Sequence, residues 1–235
     1  MSNRSWIIFG VVVLGFFGAM FALSQNNKID LADVEVSQVI ENTGTNGNIE
    51  EHVYGKKDSK VVLVEYADYQ CSGCASMNKR IKVLSEEYKD QIAVVFRNFT
   101  LDGHPNALSA AAAVESASLQ GKFWEMNALV FENQVDWANS NVSERNELYM
   151  SYARELDLDE DKFKEGMKSS NVRKKIEFDK ATARKAGLTQ TPFFLLNGEV
   201  IDNGTWGDDD KFRELINKEL KKHDIDPPKS TTDKK

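Results

Sequence analysis

Cysteine and histidine are scarce in this chain, with two of the first and three of the second among 235 residues. A zinc knuckle built on two cysteine pairs is therefore excluded, and only His52, His104, His223 or carboxylates remain to complete a metal site around Cys71 and Cys74. Proline is nearly as rare. Four prolines and 14 glycines, beside 41% hydrophobic and 29% charged residues, rule out collagen-like repetition and wholesale disorder. A basic excess is also missing: 30 Lys and Arg face 37 Asp and Glu, the net charge is −7, and no nucleic-acid partner is expected. There is no internal repeat.

What is present begins with an apolar run, Trp6 to Leu23, preceded by Arg4 as its only charge. As a helix these 18 residues span about 27 Å, close to the roughly 30 Å of a bilayer's hydrocarbon core. A cleaved signal peptide is the alternative, since Ala22-Leu23-Ser24 offers small residues at a peptidase's spacing. The length of the run, with Phe16, Phe17 and Phe21 crowding its end, favours a retained signal-anchor. Arg4 puts the N-terminus in the cytosol and everything after Leu23 outside it.

The expected organisation is thus a cytosolic tip and transmembrane anchor over 1–23, a polar linker over 24–48, a domain over 49–223 and a disordered tail over 224–235. Within the domain, β-branched residues at 61–66 and apolar residues at 92–96 read as buried strands. Between them Met77, Ile81, Leu84 and Tyr88 recur at helical spacing over 74–88, completing a βαβ unit. Helices follow over 105–119, 122–131, 143–156, 161–168 and 172–186, the last stopped by Gly187. Strands return at 193–196 and 199–201 around the hairpin dipeptide Asn197-Gly198, and a final helix begins after Asp208 to Asp210. The order βαβ, helices, ββα is an α/β sheet with a helical insertion at about 104–186.

Both cysteines lie where the first strand hands over to the first helix. Unsatisfied N–H groups and a partial positive charge at a helix start stabilise a thiolate, so Cys71 is poised to attack and Cys74, one turn on, to resolve the mixed disulfide. Structural disulfides usually close longer loops, a metal site lacks partners, and inert core thiols need no helix start. A redox-active Cys71–Cys74 pair fits best. Far along the chain, Thr191-Pro192 precedes a strand: a cis bond there presents the Thr191 backbone to a peptide, whereas an ordinary trans loop proline does nothing.

Five segments together resemble the DsbA-like thiol:disulfide oxidoreductases: Val-Glu-Tyr-Ala-Asp-Tyr-Gln-Cys-Ser-Gly-Cys (64 to 74), Phe-Arg-Asn-Phe (96 to 99), His-Pro-Asn-Ala (104 to 107), Gln-Gly-Lys-Phe-Trp-Glu-Met (120 to 126) and Gly-Leu-Thr-Gln-Thr-Pro-Phe-Phe-Leu-Leu-Asn-Gly (187 to 198). The resemblance implies a thioredoxin fold with an inserted helical subdomain, behind the N-terminal transmembrane helix. It implies Cys71 as nucleophile, Cys74 as resolving thiol, Pro192 as the family's cis-proline, and Thr191 beside it in binding substrate. It also puts Glu65 where the family keeps a buried acid. Such a carboxylate can take the Cys74 proton if burial raises its pKa, while the alternative is a strand residue reaching the sheet edge. Asp68 is a second nearby acid, explained equally well by capping.

The expected activity is introduction of disulfides into exported proteins, with their thiols as substrates and a membrane redox partner recycling the cysteines. A reductase or isomerase with the same site, or a redox-inactive peptide-binding module, is the alternative. The chain is expected to act as a monomer without cofactor or metal. Ser72 and Gly73 add no charge between the thiols, so only moderate stabilisation of the thiolate is expected.

Overall fold

The computed structural model of the chain describes residues 3–26 and 29–228. They divide into two units with the boundary after Ala32. The first holds α1 (Asn3–Asn26), a helix of 24 residues. Several side chains of the expected anchor, at positions 7, 8 and 21–23, lie outside those described. Among the described residues no helix is long and apolar enough to cross a membrane.

The second unit carries β1 (His52–Gly55), β2 (Val62–Ala67), α2 (Ser72–Glu87) and β3 (Ala93–Asn98). The helical insertion follows as α3 (Ala107–Ser118), α4 (Phe123–Glu132), α5 (Gln134–Trp137), α6 (Val142–Glu155), α7 (Glu160–Lys168) and α8 (Ser170–Lys185). The chain returns to the sheet with β4 (Phe193–Leu196) and β5 (Glu199–Ile201), then ends in α9 (Asn203–Trp206) and α10 (Asp209–Lys222).

The sheet order is β1-β3-β2-β4-β5, with β2 and β3 parallel and every other neighbour antiparallel. A strand presents alternate residues to opposite faces. Leu63 of β2 packs with Met77, Ile81 and Leu84 of α2 and with Phe212, Ile216 and Leu220 of α10. Val62, Val64 and Tyr66 face the other way, toward Ala183 of α8 and Leu188. Each such buried aliphatic side chain contributes about 1.5–3 kcal/mol. By the same alternation Glu65 shares the face of Leu63 and lies beneath α2.

The expected strands and helices form within one or two residues of the positions predicted. One strand was not expected. β1 pairs antiparallel with β3, His52 opposite Phe96, and its four residues carry too little apolar character to announce it. The tether expected over 24–48 is shorter than its polarity implied. From Asp33 the chain belongs to the second unit. The Val36 and Gln38 carbonyls accept from Arg97 at 2.6 and 2.7 Å, and Asn46 is buried at the end of a 3-10 turn, Gly44–Asn46. Backbone carbonyls do this work, which composition cannot reveal. Of the expected tail, 229–235 lies outside the described residues, while Ile225 packs on the core beside α10.

Beneath β1 and β3 lies a fully buried set of charges. Glu51 pairs with Arg97 at 2.8 Å and Lys175 at 3.1 Å, Lys175 also pairs with Asp179 at 2.6 Å, and His52 meets Glu115 at 2.8 Å. Asn98 links Glu115 to Asp179 with its side-chain amide. Burial alone would raise Glu51, but Arg97 and Lys175 hold it at about 2. Burial does raise Asp179, against the pull of Lys175.

Candidate active site

The site is built at the C-terminal end of β2, where Asp68 to Gln70 turn the chain into α2. Cys71 is the N-cap of that helix, with extended backbone, and its carbonyl accepts the Ala75 N–H at 3.1 Å. Cys71 is half-buried, Ser72 and Gly73 are exposed, and Cys74 is fully buried on the inward face of the first turn. Both sulfurs are free thiols.

The two thiols differ sharply. Cys71 is lowered from 9.0 to about 5, first by the Cys74 side chain, then against desolvation by Thr191 and the backbone N–H groups of Cys74 and Gly73. Cys74 is pushed well up by burial and by Cys71 beside it. The expectation of only moderate stabilisation, drawn from the uncharged Ser72-Gly73 pair, is therefore corrected: the Cys74 side chain, Thr191 and the first N–H groups of α2 stand in for the missing charge.

Thr191 and Pro192 come to the same place from the loop before β4. Their peptide bond is cis, and the Cys71 thiol donates to the Thr191 carbonyl at 3.5 Å. The Thr191 hydroxyl is buried and stands near both sulfurs, where it lowers both thiols. A Cβ at position 73 would lie 3.4 Å from Pro192 Cδ and 3.6 Å from Cys71 Sγ, so glycine keeps the approach to the sulfur open.

Glu65 is 2% exposed, with one carboxyl oxygen lacking any partner. Desolvation raises it from 4.5 to about 8. It lines a cavity of about 100 Å³ with Tyr54, Asn78, Lys82, Trp124 and Asn127. The buried reading holds, and the sheet-edge reading does not. Asp68 is also buried, but it faces away: it accepts from the N–H groups of Gln70 at 2.7 Å and Leu101 at 2.7 Å, and stands 3.0 Å from His104 Nδ1.

Two glutamines that the sequence reading passed over tie this loop to the insertion. Gln70 donates to the Ala138 carbonyl at 2.8 Å and accepts the Asn106 N–H at 2.7 Å. From the other side, Gln134 at the start of α5 donates to the carbonyls of Tyr69 at 2.6 Å and Cys71 at 2.9 Å. These contacts cross more than 30 residues of chain, and no local pattern marks either side chain.

The sequence model of the thioredoxin family matches residues 47–218. The chain belongs to the thioredoxin family. BdbD from Bacillus subtilis, 26% identical, superposes with a TM-score of 0.64 over 78% of this chain and 99% of that one. For α-DsbA1 of Wolbachia pipientis, 24% identical, the TM-score is 0.62 over 73% of this chain and 92% of that chain, a likeness of fold. Among curated proteins, the Na(+)/H(+) antiporter NhaA 1 of Mycolicibacterium vanbaalenii is 34% identical over 159 residues, 66% of this chain and 24% of that protein. The chain thus spans about a quarter of the length of the curated relatives it matches. This thioredoxin-family chain thus sets an acidic half-exposed thiol beside a buried one, the pairing that dithiol–disulfide exchange uses.

Proposed function

We propose that the chain introduces disulfides into exported proteins by dithiol–disulfide exchange at Cys71 and Cys74. The observation that carries this reading is the acidity of Cys71, about 5, which falls between about 7 in thioredoxin and about 3.5 in the oxidant DsbA. A stabilised thiolate stabilises the reduced pair, so the disulfide form readily accepts electrons. That argues for oxidation over reduction.

In the forward reaction a substrate thiolate attacks Cys71 Sγ of the Cys71–Cys74 disulfide. The S–S bond breaks, Cys74 leaves with the electron pair, and protonated Glu65 beneath α2 supplies its proton. A second substrate thiolate then attacks the substrate sulfur of the mixed disulfide and expels Cys71 as a thiolate. The substrate loses two electrons and the cysteine pair gains them. The Thr191 backbone, presented beside Pro192, holds the substrate chain in extended form. A membrane redox partner then takes up the two electrons.

The same reading includes a membrane anchor over residues 6–23, with the enzyme outside the cytosol. Support comes from the apolar run Trp6 to Leu23, whose 18 residues would correspond to about 27 Å of helix. Among its described residues Trp6, Phe9, Val12, Leu14, Phe16 and Phe17 are exposed.

The test is a pair of substitutions offered a disulfide-bonded substrate protein, whose own S–S bond is the one the Cys71 thiolate breaks. Cys74→Ser should accumulate a mixed disulfide with substrate, because the attacking sulfur remains and its resolver is gone, while Cys71→Ser should abolish exchange. Trapping by Cys71→Ser instead would reverse the roles.

A further inference from the structure

We infer that Gln134 is a positioning residue for the nucleophile: its side-chain amide holds the carbonyls on either side of the active-site turn and thereby aims the first N–H groups of α2 at the Cys71 sulfur. The inference rests on Cys71 being the reacting thiol.

A primary amide has two N–H hydrogens, and both are committed here, one to Tyr69 O at 2.6 Å and one to Cys71 O at 2.9 Å. Gln134 is 9% exposed, so water competes little for these bonds. The Cys71 carbonyl belongs to the planar unit that continues into Ser72 N–H. Fixing that carbonyl from outside the helix fixes the tilt of the first peptide of α2, already held from within by the Ala75 N–H. The N–H groups of Gly73 and Cys74 follow in the next two peptides and stabilise the Cys71 thiolate from the start of α2, short of a capping hydrogen bond.

The clamp comes from the insertion, not from the sheet. α5 is only four residues long and is seated by Trp137, fully buried, whose Nε1 donates to Val130 O at 2.8 Å. The reciprocal contact from Gln70 to Ala138 closes the same gap, and Asn106, which also donates to Ala138 O at 2.9 Å, is itself held by Arg145 at 2.7 Å. The insertion therefore reaches the backbone of the reacting cysteine through the Gln134 side chain.

Gln134→Met keeps the length of the side chain and removes both donors. Its expected effect is a rise in the midpoint of Cys71 alkylation by iodoacetamide against pH, by about one unit, or about tenfold less thiolate well below the midpoint. A role limited to packing would lower the melting temperature and leave that midpoint where it is in the unsubstituted protein. An unchanged midpoint in folded Gln134→Met overturns the inference. If the variant does not fold, the unsubstituted protein decides: the Gln134 Nε2–H2 resonances should titrate with the Cys71 midpoint, and their failure to move overturns it equally. Alkylation needs no protein substrate. An unsubstituted protein whose Cys71 stayed unreactive below pH 7 would instead sink the proposed function itself.

Discussion

At the scale of single residues, the chemistry depends on moving three acidities in directions that their surroundings dictate. Cys71 is lowered by donors, Cys74 raised by burial, and Glu65 raised by burial alone. Glu65 has a measurable cost in stability. The unfolded chain releases its proton near 4.5 and the native protein near 8, so between these values the unfolded state binds fewer protons and stability falls as pH rises. By pH 7 the linked loss is on the order of 3 kcal/mol, and above pH 8 it levels off. Cys71 works in the opposite sense in the reduced protein, adding stability as pH rises from about 5 toward 9. The measurement therefore uses the oxidised form: denaturant midpoints from pH 5 to 9 should decline for the unsubstituted protein and stay flatter for Glu65→Gln. Parallel curves would give Glu65 an ordinary acidity.

At the scale of elements, α8 is fastened to the sheet by ions as much as by apolar contact. Lys175 satisfies Glu51 and Asp179 at once, all three without exposure. Lys175→Met should cost about 3–5 kcal/mol in a denaturant titration, because buried Asp179 loses its cation and Glu51 keeps only Arg97. It should leave the pH midpoint of Cys71 alkylation unchanged, since this cluster does not touch the thiols. The elements themselves were largely legible in the sequence. β2, α2 and β3 followed from apolar periodicity, and the placement of Cys71 at a helix start was visible from the strand before it. β1 was not legible, because His52 is buried by stacking on Phe123 at 3.5 Å and by Glu115, both distant in sequence. Gln134 was hidden for the same reason: 63 residues separate it from Cys71. The packed stretch from Asp33 escaped because it is held through the backbone carbonyls of Val36 and Gln38.

At the scale of the whole molecule, the acidic chain of net charge −7 should remain with membranes after a high-salt wash, since apolar insertion, unlike electrostatic adhesion, is not screened. Recovery of a soluble form beginning near Gln25 would instead assign residues 6–23 to a cleaved signal peptide. The buried charges under β1 and β3 bear on how such a chain varies through time. Glu51, Arg97, Glu115, Lys175, Asp179 and His52 form one connected set in which each member neutralises or hydrogen-bonds another, with Asn98 bridging two acids. Losing one ion strands its neighbour, whereas exchanging the set for apolar groups of similar volume can be nearly neutral. Descendants of this chain should therefore keep the cluster intact or replace it in concert, and the variants with a lone substitution should be those that natural drift rarely visits.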